Sequence, residues 1–386
     1  MRDRHPLPLP MRYRRFGKTN LLLSVFSLGT MRYLASEENA IKTVQAAIEQ
    51  GINHIETARG YGNSELYLGA ALRSGLPLSR DQLYLTSKIP PTPDAEAMAR
   101  AIEESLSRLG VDYLDCLGIH GLNTWEHLGW IEDPQGCMQA VRQAIDAGLV
   151  RHVGFSTHAP LEIILRAIET DQFEFVNLHY YLFNQRNAAA VALAHQKDMG
   201  VFIISPADKG GMLYTPPQTL SDLCRPFTPL ELNYRFLLSD CRITTLSVGA
   251  AKPEELELPL PMGDRTEPLT PEEQKTLEGL YLHQEAALGT DHCRQCFECL
   301  PCPENINIPE VLRLRNLTVA YDMQTFGEYR YQMFENAGHW FPGMKASRCT
   351  DCGDCLPRCP EELNIPSLLR DTHDRLNGAP RRRLWG

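Results

Sequence analysis

The stretch HIETARGYGNSE, from His54 to Glu65, combines two patterns that decide the fold. The short run INHIE, which ends at Glu56, predicts a strand, and Ser64–Ser74 has the amphipathic spacing of a helix. A polar loop that contains Tyr61 joins them. The segment is therefore a strand, a loop and a helix, which is the repeating unit of parallel α/β proteins.

The same unit recurs from about residue 36 to residue 260. Strand-like runs are INHIE, LYLTSK, YLDCLGIH, HVGFS, FEFVNL, VFIIS and ITTLSV, and the segments between them are helix-like. This alternation predicts parallel strands joined by crossover helices, and its length fits a (β/α)8 TIM barrel of commonly about 250 residues. A doubly wound sheet is the alternative, but no Gly-x-Gly-x-x-Gly turn follows an early strand.

The quoted stretch resembles the signature of the aldo-keto reductase family, usually Asp-Thr-Ala-x-x-Tyr-Gly-x-Ser-Glu. The N-terminal run RYRRFGKTNLLLSVFSLGTMRY is similar to the hairpin and first strand of that family, and the resemblance covers roughly residues 11–285. It implies a catalytic set made of Tyr61, Lys88, His120 and Glu56. An isolated Tyr, Lys or His near a strand end is more often a packing residue. Here all of them occur together with the family signature, which favours a catalytic role.

The resemblance gives each of these side chains a task. Reduction of a carbonyl requires a proton for the developing alkoxide, and a tyrosine with a pKa near 10 needs a nearby cation to supply it at neutral pH. Lys88 would be that cation, Glu56 its counter-charge, and His120 would orient the carbonyl oxygen. The family has Asp where this chain has Glu56, and we expect the pocket to adjust to the longer side chain.

The same resemblance implies a nicotinamide cofactor. Ser156 and Thr157 in GFSTH, together with Asn177, would contact the nicotinamide amide, and Ser205 would begin the loop beside the pyrophosphate. The run SVGAAKPEEL is similar to a phosphate-recognising turn in which Lys252 is the nearby cation. That lysine favours NADP(H) over NAD(H).

Eight of the twelve cysteines fall in two near-identical runs towards the C-terminal end. Each run reads Cys-x-x-Cys-x-x-Cys and ends in Cys-Pro, a spacing typical of iron–sulfur ligands. The eight are Cys293, Cys296, Cys299, Cys302, Cys349, Cys352, Cys355 and Cys359. Disulfides would suit a small secreted domain, and structural zinc usually takes two pairs separated by a longer loop.

This segment resembles a bacterial-type ferredoxin domain with two [4Fe-4S] clusters. In that family the fourth thiolate of each cluster comes from the opposite run. The resemblance therefore implies that Cys359 completes the cluster of the first run and Cys302 that of the second. The first run has one residue fewer before its last cysteine than the family has.

These patterns predict two domains in 386 residues. The predicted divisions are an N-terminal arm at 1–10, the barrel at 11–288, a small, mainly helical ferredoxin-like domain at 289–375, and a basic tail at 376–386.

Composition narrows the classes of partner. A net charge of −10 argues against nucleic acid and against an anionic membrane surface, because both bind concentrated basic surfaces. The first ten residues have no apolar core of a secretory signal, and the longest apolar stretch is too short to span a bilayer. We therefore expect a cytoplasmic protein.

Two functions follow from the sequence. The first is an oxidoreductase that interconverts carbonyl and alcohol groups of a small molecule, with the clusters for electron transfer and an external ferredoxin-like protein as a candidate partner. The second is an electron-transfer or redox-sensing module whose barrel binds a nucleotide with little turnover. Glu56 and Ile204, which stands where a ring-stacking aromatic is usual, favour the second.

Overall fold

The computed structural model describes residues 11–378, which divide into two compact units. The first contains residues 11–209 and 234–268, and the second contains residues 210–233 and 269–378. Residues 210–233 belong to the second unit although they lie between two barrel strands in sequence. The predicted arm, and the predicted tail beyond residue 378, lie outside the described residues.

The strands are short, as in most parallel barrels. They are β1 Tyr13–Arg15, β2 Leu22–Ser24, β3 Phe26–Gly29, β4 His54–Glu56, β5 Tyr84–Ile89, β6 Leu114–His120, β7 Val150–Ser156, β8 Phe175–Leu178, β9 Gly200–Ile203 and β10 Thr245–Val248.

The helices alternate with the strands and then continue alone. They are α1 Glu37–Glu49, α2 Ser64–Arg73, α3 Ala95–Leu109, α4 Trp125–Glu132, α5 Cys137–Asp146, α6 Leu161–Glu169, α7 Ala188–Gln196, α8 Gln218–Leu223, α9 Pro229–Leu238, α10 Pro271–Leu288, α11 Ile308–Tyr321, α12 Gln324–Tyr331 and α13 Ile365–Leu376. Within residues 11–378, no helix is long and apolar enough to cross a bilayer.

Strands β3 to β10 form a closed barrel in which every neighbouring pair is parallel, and β10 pairs with β3 to close it. This confirms the predicted (β/α)8 TIM barrel. Helix α4 lies between β6 and α5, where the sequence analysis identified no separate helix. Thr124 caps it by accepting a hydrogen bond from the His127 N–H.

The β1–β2 hairpin covers the N-terminal end of the barrel. Phe16, just after β1, packs on Phe175 at the start of β8, with ring centroids 5.1 Å apart. A Cβ on Gly200, the first residue of β9, would lie 2.1 Å from the Phe16 ring, so this close approach requires glycine. The hairpin thus closes the N-terminal end of the barrel, whereas barrel enzymes carry their active sites at the C-terminal end.

A polar layer crosses the barrel interior. The His54 imidazole is fully buried and is hydrogen-bonded at Nδ1 to Ser27 Oγ (2.7 Å) and at Nε2 to Thr86 Oγ1 (2.7 Å). Burial, with the nearby charge of Lys88, lowers the pKa of His54 to about 3. The imidazole is therefore neutral at physiological pH.

The second unit repeats one structural motif. Helices α11 and α13 both begin at Ile-Pro after an asparagine, and the Asn307 and Asn364 side chains accept hydrogen bonds from the third helical N–H. Positive φ angles occur at corresponding places between the cysteines, 67° at Phe297 and 79° at Gly353. The repeat in sequence is thus also a repeat in backbone conformation.

Candidate functional site

The predicted catalytic side chains lie at the C-terminal end of the barrel. Glu56 and His120 are the last residues of β4 and β6, and Lys88 is the penultimate residue of β5. Tyr61 lies in the loop between β4 and α2. Because the strands are parallel, their carboxyl ends converge, which is where barrel enzymes carry their active sites.

Lys88 and Glu56 form a buried ion pair. Their side chains are 2% and 6% exposed, and Lys88 Nζ also donates a hydrogen bond to the Thr57 carbonyl oxygen at 3.0 Å. The aliphatic part of Lys88 lies over Gly118 of β6, where an added Cβ would be 2.9 Å from Lys88 Cγ. Glycine at this position makes room for the lysine to reach the site.

Tyr61 lies between the cation and the imidazole. The Lys88 Nζ is 4.9 Å from the Tyr61 ring centroid, and the His120 ring meets Tyr61 edge-on with centroids 5.5 Å apart. The structure therefore brings all four predicted catalytic residues together.

The acidity of Tyr61 differs from the sequence expectation. Burial raises the pKa of Tyr61 above its ordinary value of 10, although Lys88 is close. Burial also lowers the pKa of Lys88, and the positive charge of Lys209 adds to that effect. The expected lowering of the Tyr61 pKa is thus not met, because burial disfavours a phenolate.

A single cleft leads from these residues towards β10. It is lined by residues that follow β3, β4, β9 and β10: Gly29, Thr30, Met31, Arg32, Glu56, Tyr61, Ile204, Ser205, Asp208, Lys209, Ser247 and Gly249. Residues from four strand ends, including Tyr61 and Arg32, therefore share one cavity.

The predicted nicotinamide contacts occupy the ends of β7 and β8. Asn177 is 1% exposed, and neither its amide nitrogen nor its amide oxygen has a hydrogen-bond partner. The Ser156 hydroxyl accepts a hydrogen bond from the Gly121 N–H at 3.2 Å. Thr157 donates to the Leu122 carbonyl at 2.7 Å, so its hydroxyl is engaged in holding two loops together. Buried amides without partners are rare, and Asn177 is the member of this group best able to bind an amide ligand.

The two predicted phosphate-side residues are Ser205 and Lys252. Ser205 lines the cleft with a positive φ of 44°. Lys252 is exposed, and its acidic partner is Glu254 at 3.9 Å. A second cation, Arg32, reaches the same turn and donates to the Gly249 carbonyl oxygen at 2.7 Å.

The cysteines of the second unit line a separate cavity. Cys293, Cys296 and Cys299 of the first run and Cys359 of the second surround it together. Asn316 of α11 fixes the first of these by donating to the Cys293 carbonyl at 2.8 Å. Within residues 11–378 no group of three or more His, Cys, Asp or Glu side chains is arranged to hold a single metal ion. Four thiols around a cavity suit a cluster.

The other four of the eight predicted cluster ligands, Cys302, Cys349, Cys352 and Cys355, also come from both runs. Burial raises the pKa of the Cys355 thiol, and the neighbouring groups of Cys349, Cys352 and Cys302 add to this. Cys302 is thus among the groups that act on Cys355, and Cys359 lines the cavity of the first run. The crossed ligation that the ferredoxin resemblance implies stays a prediction.

Three charged residues of the cleft were not predicted from sequence: Arg32, Asp208 and Lys209. All three follow barrel strands within motifs already singled out, SLGTMRY and IISPADKGG. Position after a strand was therefore the signal that could have found them. They share one cleft because β10 pairs with β3 and closes the barrel. This long-range pairing cannot be read from local sequence patterns.

Comparison with known proteins covers both units. Residues 26–281 match the aldo/keto reductase family, and residues 292–363 match a 4Fe-4S dicluster domain. An aldo-keto reductase from Mycobacterium avium is 30% identical over 264 residues, which are 67% of this chain and 86% of that protein.

Solved structures share the barrel. An aldo-keto reductase from Bacillus halodurans in its holo form has a TM-score of 0.61 and 22% identity, covering 70% of this chain and 96% of that one. An aldo-keto reductase from Klebsiella pneumoniae in complex with NADPH has a TM-score of 0.57 and 23% identity, covering 70% and 95%. At these identities the likeness concerns the fold.

Proposed function

This chain belongs to the aldo/keto reductase family and is an oxidoreductase, and we propose that its barrel interconverts carbonyl and alcohol groups with a nicotinamide dinucleotide. The observation that carries the proposal is the arrangement of Lys88. Its ammonium pairs with the Glu56 carboxylate and lies 4.9 Å from the Tyr61 ring centroid, and both Glu56 and Tyr61 line the cleft.

In this proposal each side chain has one role. Tyr61 donates the proton to the substrate oxygen, and Lys88 stabilises the phenolate that remains. Glu56 holds the ammonium in place in a buried site where an unpaired charge would be costly. His120, edge-on to Tyr61, orients the carbonyl oxygen by a hydrogen bond.

The residues at the ends of β7 to β9 fit a nicotinamide group. The unpartnered amide of buried Asn177 offers both a donor and an acceptor to a carboxamide. Ser156 assists from the neighbouring strand end, and Ser205 lies in the loop beside the pyrophosphate. The bound dinucleotide would supply the hydride, while the chain's own residues position the substrate and provide the proton.

We propose two [4Fe-4S] clusters in the second unit. Cys293, Cys296, Cys299 and Cys359 would hold one, on the evidence of the cavity that they line. The other set consists of Cys302, Cys349, Cys352 and Cys355. The clusters would carry electrons singly, and an external ferredoxin-like protein is a partner of suitable chemistry. The cytoplasmic location stays a prediction.

The test combines turnover with spectroscopy. Anaerobically purified holoprotein is mixed with NADH or NADPH and a panel of small aldehydes and ketones, and absorbance reports both nucleotide oxidation and cluster bleaching. We expect steady oxidation of the nucleotide that depends on the carbonyl compound. Its rate should fall at least about a hundredfold in Tyr61→Phe, because loss of a general acid typically lowers the rate by this factor. Equal rates in wild type and Tyr61→Phe would refute the role of the tyrosine.

A second function is favoured by Ile204, which lines the cleft where a ring-stacking aromatic is usual, and burial also raises the pKa of Tyr61. A phenol that resists ionisation is a poor acid, which would suit an electron-transfer or redox-sensing module with little turnover. In the same experiment this function predicts cluster bleaching by the nucleotide without formation of an alcohol.

A further inference from the structure

We infer that the cofactor of this chain is the dinucleotide without a 2′-phosphate, NAD(H), and that Glu255 is the residue that selects it. The inference rests on the proposed function, since it concerns the far end of the same cleft. It replaces the preference for NADP(H) that Lys252 suggested from sequence.

The cleft determines where the adenosine half would lie. Its lining includes Tyr61 and Glu56 as well as Arg32 and Gly249. With the nicotinamide beside Tyr61, as proposed, a dinucleotide that continues along this cleft would meet Arg32 and Gly249, at the turn that follows β10. This turn, residues 249–252, leads into the short 3-10 helix Pro253–Leu256.

The Glu255 carboxylate already accepts hydrogen bonds from polar groups at that turn. Glu255 Oε2 accepts a hydrogen bond from the Ala251 N–H at 3.1 Å and another from Arg32 Nη1 at 2.8 Å. Arg32 in turn donates to the Gly249 carbonyl at 2.7 Å. The donors that could bind a phosphate on the ribose are thus bound to the chain's own carboxylate.

The charges near the turn also disfavour a second phosphate. The Arg32 charge is matched by Glu255, and both side chains are only partly exposed, at 26% and 29%. Lys252 is 61% exposed and lies nearest Glu254, so water and an acidic neighbour screen its charge. A 2′-phosphate would bring up to two negative charges beside the carboxylates of Glu254 and Glu255, with which Lys252 and Arg32 are already paired.

A ribose 2′-hydroxyl, in contrast to a 2′-phosphate, can donate a hydrogen bond to the Glu255 carboxylate. An ionised carboxylate offers about four acceptor sites, of which the contacts named for Glu255 use only some, so it can still accept from a 2′-hydroxyl. In other dinucleotide-binding folds an acidic residue binds the ribose of NAD, whereas an arginine accommodates the 2′-phosphate of NADP. Arg32 remains tied to Glu255 and is therefore not available for that role.

The experiment measures dissociation constants of NADH and NADPH for the intact holoprotein by nucleotide fluorescence, in wild type, Glu255→Gln and Glu255→Arg. We expect wild type to bind NADH at least tenfold more tightly than NADPH. Glu255→Gln should reduce that ratio, and Glu255→Arg should reverse it, because the repulsive charge is first removed and then inverted.

Glu257→Gln is the matched control. Glu257 lies two residues away on the same turn and is exposed, so the substitution removes the same charge without touching Arg32 or Ala251. We expect it to leave the ratio of the two dissociation constants unchanged within twofold. The iron–sulfur absorbance and the thermal midpoint establish that each variant is folded.

The outcomes separate the two hypotheses. Tight binding of NADPH by wild type, or an equal shift in Glu257→Gln, would overturn the role of Glu255 and leave the proposed function standing. Binding of neither nucleotide would overturn the proposed function, and the inference with it.

Discussion

At the scale of single residues, the site depends on one buried charge. Lys88 is 2% exposed and pairs with Glu56, and its ammonium is 4.9 Å from the Tyr61 ring centroid. Separating such a pair leaves an uncompensated buried charge, which costs about 3–5 kcal/mol. The longer side chain at position 56 is therefore compatible with the site as long as it carries its charge.

The substitution Glu56→Asp tests this compatibility. We expect it to retain or raise carbonyl-reducing activity, because the carboxylate is kept and the residue usual in the family is restored. The measurement is kcat/KM for an aldehyde, with Lys88→Ala as the comparison. A loss as deep as that of Lys88→Ala would mean that the extra methylene has a function of its own.

His54 gives the barrel a dependence on pH. Its pKa is about 3 in the folded chain against about 6.5 when unfolded, so the folded state favours the neutral imidazole. The stability that this provides is complete above pH 6.5 and is lost as the pH falls towards 3. Between pH 6.5 and 4.5 the loss should be about 2 kcal/mol.

Denaturant unfolding followed by circular dichroism at several pH values checks this expectation. His54→Gln removes the titration and keeps a polar side chain, so its stability should fall less steeply over the same interval. Parallel pH dependences in the two proteins would show that His54 is not responsible.

At the scale of elements, the sequence predicted the barrel well because each unit carries its own pattern. INHIE and LYLTSK correspond to β4 and β5, and the helix predicted at Pro271 corresponds to α10. Helix α4 was missed because its segment, with Trp125 exposed and Leu128 buried, has only a weak amphipathic pattern.

The parts of the site that escaped prediction depend on long-range contacts. Arg32 and Glu255 are 223 residues apart in sequence and meet only because β10 pairs with β3. Gly118 also depends on a long-range contact. A larger residue there would collide with Lys88 on the neighbouring strand. Local sequence patterns do not encode such pairings.

Gly118→Ala tests how β5 and β6 position the catalytic lysine. The new Cβ would lie 2.9 Å from Lys88 Cγ, so the lysine must move. We expect kcat to fall at least about tenfold, since a displacement of 1 Å can cost about a hundredfold. The matched control is Gly129→Ala in α4, where an added Cβ meets nothing within 4 Å and activity should be unchanged.

At the scale of the whole molecule, the chain combines a family barrel with a cluster domain. As proposed, the barrel would move two electrons together by hydride transfer and each cluster would accept one, so the two units would perform different kinds of redox chemistry. In the proposed ligation the second unit depends on both runs at once, because the cavity lined by Cys293, Cys296 and Cys299 also takes Cys359 from the other run.

The crossed ligation can be tested by removing one thiol at a time. Cys359→Ala should abolish the same electron paramagnetic resonance signal as Cys293→Ala, and Cys302→Ala the same signal as Cys352→Ala. Each variant should keep about half of the iron, if one cluster assembles without the other. Loss of the same signal in Cys359→Ala and Cys352→Ala would contradict the assignment.

The most direct test of the central claim is to follow the transferred hydrogen itself. NADH labelled with deuterium at the transferable position of the nicotinamide ring is incubated with holoprotein and an aldehyde, and the alcohol is analysed by mass spectrometry. If the barrel works as proposed, the alcohol carries one carbon-bound deuterium, and Tyr61→Phe forms little of it. An alcohol without deuterium, or consumption of NADH with no alcohol formed, would contradict the account.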